Sequence, residues 1–135
     1  MTNEGSAYLA GIIDGEGSIT LTRMHDSEHR RPCISIASTD KELLTYVQTL
    51  TKGTMINKKN DNPVKHKNSY TLYIKKKDDV LLLLNYITLY LRVDKKRNRV
   101  LWILKHYERV TIRNGKYNSE QLKKKLLFEE AFFNI

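Results

Sequence analysis

The chain reads as an α+β fold. Two αββ units build one four-stranded antiparallel sheet, with helices on one face and additional helices at the C-terminus. Three observations predict it. The apolar period changes from helical to two-residue at Gly17. The same helix-then-strand-pair order recurs after Ser38, and three long helical patterns close the sequence. A length of 135 residues suits one domain, here residues 1–135, with a C-terminal helical segment from about 94, and allows about two thirds of the unfolded surface to be buried.

The elements follow in order. A helix is expected at about residues 6–16, with Tyr8, Leu9, Ile12 and Ile13 on its apolar side. In Ser18–Thr22, Ile19 and Leu21 face one way and three hydroxyls the other. The polar stretch from His25 to Pro32 is a loop, and Cys33–Ser38 alternates again. Thr39 and Glu42 have the spacing of a capping box. The helix they open runs to Leu50, with Leu43, Leu44, Val47 and Leu50 inward and Gly53 as its stop. A second strand pair, Thr54–Lys59 and Ser69–Lys77, flanks a loop. Helices are expected over Asp78–Leu91, Asp94–Val110 and Ser119–Phe133.

Composition narrows the partner. Lys and Arg total 24 against 15 acids, a net +9, which favours a polyanion. One cysteine excludes an internal disulfide framework and fits an intracellular setting, in cytoplasm, nucleoid or an organelle. Val80–Leu91 is too short to span a bilayer, so no membrane partner is expected. His25 and His29 stand four apart, but neither a second cysteine nor the zinc-protease glutamate accompanies them.

Ala7, Gly11 and Gly15 recur every four residues along one helix stripe. Each glycine inside a helix costs about 1 kcal/mol relative to alanine, and close approach of a second helix offsets that cost. The residues alone leave open whether that helix belongs to the same chain or to another copy.

Residues Leu9–Gly17, LAGIIDGEG, match LAGLIDADG at six of nine positions: Leu9, Ala10, Gly11, Ile13, Asp14 and Gly17. The chain therefore resembles the LAGLIDADG homing endonucleases, whose αββαββα order it shares. The resemblance implies a site-specific DNA endonuclease that is intron-encoded, or intein-encoded. With a single motif it implies a homodimer through Ala7, Gly11 and Gly15, acting on a long pseudo-palindromic double-stranded DNA site and making a staggered break. It implies Mg²⁺ (with Mn²⁺ as a substitute) held by the Glu16 carboxylate and the Gly15 carbonyl. Paired acids and bound cations relieve each other's electrostatic cost. Glu16 stands where the family usually has Asp, which keeps the charge and adds a methylene. Lys95 is the matching catalytic basic residue, with Lys96 one position away. Ser38 matches a residue that positions water, although it is shorter than the Gln sometimes found there. Asp14 is expected to serve structure. The alternative is binding on the same scaffold without cleavage, as an intron RNA maturase or a DNA-binding repressor.

For DNA contact, the strand faces opposite the core offer Ser18, Thr20 and Thr22, then Cys33 and Ser35, then Asn57 and Lys59, then Thr71, Tyr73 and Lys75. Arg23, Arg30, Arg31, Lys58, Lys65, Lys67 and Lys96 suit phosphate contacts, which set register without reading sequence.

Overall fold

A computed structural model describes residues 1–58 and 61–135. The order is α1 (Asn3–Glu16), β1 (Gly17–Thr22), β2 (Arg31–Ser38), α2 (Lys41–Thr51), β3 (Thr54–Lys58), β4 (Ser69–Ile74), α3 (Lys77–Ile87), α4 (Asp94–Val110) and α5 (Ser119–Phe133). The strands form one antiparallel sheet in the order β1-β2-β4-β3. The predicted α+β architecture is therefore the one observed.

Alternation sorts the sheet into two faces. Ile19, Leu21, Ile34, Ile36, Leu72 and Ile74 are all buried and join Leu9, Ala10 and Ile13 of α1 in one apolar cluster. Leu44, Val47, Val80, Leu84, Val100, Ile103 and Phe132 complete it from the other helices. On the opposite face, register places Ser18 against Ser35, Ala37 against Thr71, and Thr54 against Tyr73. Ser18 is exposed, while Thr20, Ser35, Thr71 and Tyr73 are half-buried.

Two local expectations are corrected. The capping box does not form. Helix α2 begins at Lys41, so the cap falls on Asp40, and the Ser38 hydroxyl accepts the Asp40 N–H at 3.0 Å. Thr39 comes one residue too early. Gly53 does follow α2, but the left-handed residue is Lys52, with φ of 57°. Glycine at 53 answers a close approach instead: a Cβ there would lie 2.9 Å from the Tyr73 carbonyl oxygen.

Helix α1 starts earlier than predicted, because the Thr2 hydroxyl accepts the Gly5 N–H at 3.0 Å and caps it. Helix α3 ends at Ile87, short of the predicted Leu91. Among the described residues, no helix is long and apolar enough to cross a membrane.

Candidate active site and nucleic-acid interface

The centre forms where α1 runs into β1. Gly17 makes that transition possible, since a Cβ on it would come within 2.7 Å of the Ile13 backbone. Its N–H closes the helix onto the Ile13 carbonyl. Glu16, the last helical residue, is thereby delivered to the edge of the open sheet face and is exposed.

A reciprocal clamp holds this end of α1. Asp14 Oδ2 accepts from the Arg92 N–H at 2.8 Å and Oδ1 from the Val93 N–H at 3.0 Å. Those are backbone donors at the start of α4, whose own cap residue, Val93, has no side chain to offer. A carboxylate is favourable at that positive helix end. In return, Lys96 Nζ donates to the carbonyls of Ile13 at 2.7 Å and Asp14 at 2.8 Å, in the last turn of α1. Asp14 thus serves structure.

The lysine brought to the motif helix is Lys96. Lys95, one position earlier, is exposed and has no hydrogen bond or ion pair among the described residues. The sequence match chose between two adjacent lysines by register alone, and one residue turns a side chain by about 100° around a helix.

The small-residue stripe is open. Gly11 and Gly15 are exposed, and a Cβ built on either meets nothing within 4 Å. Packing within the chain therefore does not require them to be glycine. Ala7, Tyr8, Gly11, Ile12, Gly15, Glu16 and Leu43 line a shallow apolar depression along this side. Tyr8 packs edge-on against Tyr46 beside it, with ring centroids 5.6 Å apart. Tyr8 and Leu43, both expected in the core, belong to this outer surface. Helix α1 is apolar on two sides, and only the side bearing Leu9, Ala10 and Ile13 meets the core.

The predicted DNA contacts divide. Ser18, Thr20, Thr22, Ser35, Thr71 and Tyr73 share the open face, and Lys58 joins them opposite Ser69. Lys75 lies just beyond the paired end of β4, its ammonium 4.6 Å from the Tyr73 ring centroid. Arg23, Lys65 and Lys67 are exposed in the two loops.

Other placements are corrected. Cys33 lies on the alternation of the open face but is only 3% exposed, and burial pushes its thiol pKa up, against the lowering effect of Lys75. Ser38 alternates with the core face, opposite Tyr70, and its hydroxyl supports the start of α2. Asn57 is also opposite Tyr70, so the outward set on β3 is Thr54, Ile56 and Lys58. Lys59 lies outside the described residues. Arg30 is engaged within the chain: its Nε is 3.7 Å from Glu129, its Nη1 donates to the Leu21 carbonyl, and its guanidinium lies over Phe133. Arg31 is half-buried, 3.4 Å from Glu28.

Sequence reasoning missed Arg99, whose Nη1 donates to the Ile19 carbonyl at 3.0 Å while its guanidinium lies 4.7 Å from the Phe132 ring centroid. It ties α4 to the edge strand. Nothing in the run of basic residues at 95–99 separates such anchors from surface charges except position along α4.

The model of the LAGLIDADG-like domain matches residues 3–124, nearly the whole chain. The chain belongs to the LAGLIDADG-like family. Over 133 residues it is 25% identical to the intron-encoded DNA endonuclease ai2b of Dictyostelium discoideum. That match covers 96% of this chain and 50% of the relative, so the chain spans half the length of the curated protein it resembles. Among solved structures, it superposes on the homing endonuclease I-CvuI in complex with its target, with a TM-score of 0.71 and 16% identity. That likeness covers 98% of this chain and 82% of the other. The archaeal intron-encoded homing endonuclease I-Vdi141I, complexed with DNA, gives a TM-score of 0.65 at 14% identity, over 98% of this chain and 84% of the other. At those identities the structural likeness establishes the fold.

Among the described residues no three His, Cys, Asp or Glu side chains gather into a metal cluster. With Asp14 committed to α4, one chain offers one free motif carboxylate, Glu16, and the neighbouring Gly15 carbonyl. That donor set is all oxygen and open to solvent, which suits a hard cation that keeps several waters and phosphate oxygens.

Proposed function

We propose that the protein is a site-specific DNA endonuclease that works as a homodimer on a long pseudo-palindromic site and makes a staggered double-strand break with Mg²⁺. The observation that carries this reading is the open stripe of Ala7, Gly11 and Gly15 ending in exposed Glu16. Two copies paired along that stripe bring their two Glu16 carboxylates together beside the open sheet faces. A hard divalent cation bound there supplies activation of water and stabilisation of the leaving oxygen.

The chain's own residues do the rest. Glu16 and the Gly15 carbonyl hold the cation. Lys96 is the lysine of the centre in preference to Lys95, because its ammonium already sits at the last carbonyls of α1. From there it adds positive potential beside the scissile phosphate. Ser18, Thr20, Ser35, Thr71 and Tyr73 face the DNA grooves, where polar side chains reach base edges. Arg23, Lys58, Lys65 and Lys67 grip phosphates at the sheet periphery.

The test is cleavage of DNA carrying the insertion site of the gene's intron or intein. Cutting is expected with Mg²⁺, and binding without cutting in Ca²⁺. Binding with no cleavage in any divalent ion would overturn the nuclease assignment and favour a maturase or repressor on the same scaffold.

A further inference from the structure

A cavity of about 750 Å³ opens at the far end of the first strand pair from Glu16, between the β1–β2 loop, the C-terminal end of α4, the loop that follows it and the middle of α5. Register puts Arg31 opposite Thr22 there, five residues along β1 from Gly17, or about 17 Å. The volume is that of a small-molecule site.

Its walls are cationic on balance. Arg30, Arg31, Lys77 and Arg113 line it beside two acids, Glu28 and Glu108. Arg31 faces Glu28, but Lys77 and Arg113 are exposed with no acidic partner among the described residues. Beneath them lies Lys125, 0% exposed. Its ammonium donates to the Thr111 hydroxyl at 2.7 Å and lies 4.5 Å from the Tyr107 ring centroid and 5.8 Å from that of Phe128. No carboxylate comes within ion-pair distance of it among the described residues. Glu129, four residues on, is directed toward Arg30 instead. A buried ammonium with one hydrogen-bond acceptor and no carboxylate at ion-pair distance is costly to keep, and the more distant Glu129 offsets only part of that cost. An anion seated above it removes part of that cost.

We propose that this cavity is a second ligand site, taking a phosphate-bearing molecule of nucleotide size whose anion is held by Arg113, Arg31 and Lys77 above the Lys125 ammonium. Guanidinium groups pair with phosphate oxygens two at a time, which favours phosphate over a simple monoanion. Inorganic phosphate alone leaves most of the volume empty. At the rim, Tyr117 meets His29 edge-on with ring centroids 4.6 Å apart, and its hydroxyl accepts the Ile112 N–H, so an anchored aromatic surface is available to a base. The ligand is either a free nucleotide or the 5′-phosphorylated end of a single strand, which share this chemistry.

Calorimetric titration of the full chain tests the proposal with three probes: inorganic phosphate, adenosine 5′-monophosphate and a 5′-phosphorylated pentanucleotide. The monophosphate is expected to bind at least tenfold more tightly than inorganic phosphate. Arg113→Gln and Lys125→Met should each weaken it about tenfold while leaving duplex DNA affinity unchanged. Pentanucleotide binding with the same dependence on both residues assigns the site to strand ends, and its absence assigns it to free nucleotides. Monophosphate binding that neither substitution alters is adsorption to the basic sheet face and overturns the proposal, as does the absence of binding by all three probes at millimolar concentration. Arg113 sits in an exposed loop, so its variant reports on the site independently of any effect at Lys125 on folding.

Discussion

Replacing Lys125 with Met should make the protein more stable, and the gain should depend on pH in a defined direction. Burial lowers the Lys125 pKa from 10.5 to about 8, against the raising effect of Glu129. At about 1.4 kcal/mol per pKa unit, the drop corresponds to about 3 kcal/mol. For a base with a lowered folded-state pKa, the unfolded chain keeps its proton up to 10.5 while the folded chain releases it near 8. Below pH 8 both states are protonated, and the folded state bears the full cost. Between the two values the unfolded state holds more protons, so wild-type stability rises with pH. Methionine keeps the contacts with Tyr107 and Phe128 and removes the charge, but forfeits the hydrogen bond to Thr111, worth about 1 kcal/mol. The net expectation is a gain of about 2 kcal/mol at pH 7 that shrinks steadily toward pH 9.5. The range stops there because burial also raises the Tyr107 pKa, and that group withdraws stability once the unfolded tyrosine ionises above 10. Urea unfolding of both proteins at pH 7 and pH 9.5 measures the difference. A Met variant less stable than wild type at pH 7, with pH curves running parallel, would refute the reasoning.

Five further outcomes are expected. Glu16→Gln should abolish cleavage in a plasmid-nicking assay while leaving DNA affinity intact or higher, and retained cleavage removes Glu16 from the centre. Gly11→Leu should convert the proposed dimer to a monomer in light scattering. Gly11→Ala should stabilise the isolated chain by about 1 kcal/mol, since nothing within the chain crowds a Cβ there. Asp14→Ala should cost about 1–2 kcal/mol in urea unfolding, because two N–H groups at the start of α4 lose their shared carboxylate. Lys96→Met should depress the cleavage rate constant at least tenfold more than Lys95→Met, and the reverse order would restore Lys95 to the centre.

The sheet was legible because its code is local. Residues Ser18–Thr22 and Cys33–Ser38 alternate cleanly, and the inward set of every paired strand except β3 follows from hydrophobicity alone. Strand β3 failed for a physical reason. It lies at the sheet edge, where Ile56 and Asn57 are both exposed, so neither face imposes polarity and a one-residue slip goes unnoticed. Cys33 was assigned by parity, which gives the face of a residue but not what covers it, and Ser38 by its match to the family pattern, which says nothing of the face its side chain takes. The clamp of Asp14 and Lys96 could not be read at all, since its halves are 82 residues apart and only tertiary folding joins them. The same holds for Lys125, whose place in the lysine run at 123–125 reads as solvated surface.

Helix α1 reconciles demands that conflict within a single element. Its Leu9, Ala10 and Ile13 side must be well packed to hold the sheet, whereas its Ala7, Gly11 and Gly15 side must stay bare for another helix to approach. Both sides end at the same residue pair, Gly15 and Glu16, where the helix is intrinsically weakest: each of its last three positions before β1 is helix-poor or charged, and no basic residue of its own occupies the final turn. The Asp14 and Lys96 contacts supply from α4 what α1 lacks, a cation at its negative end, and receive an anion at the positive end of α4. Loosening either half should therefore move Glu16 before it unfolds the core, so Asp14→Asn is expected to lower the cleavage rate constant more steeply than its thermal midpoint. Parallel losses in the two would assign Asp14 to stability alone.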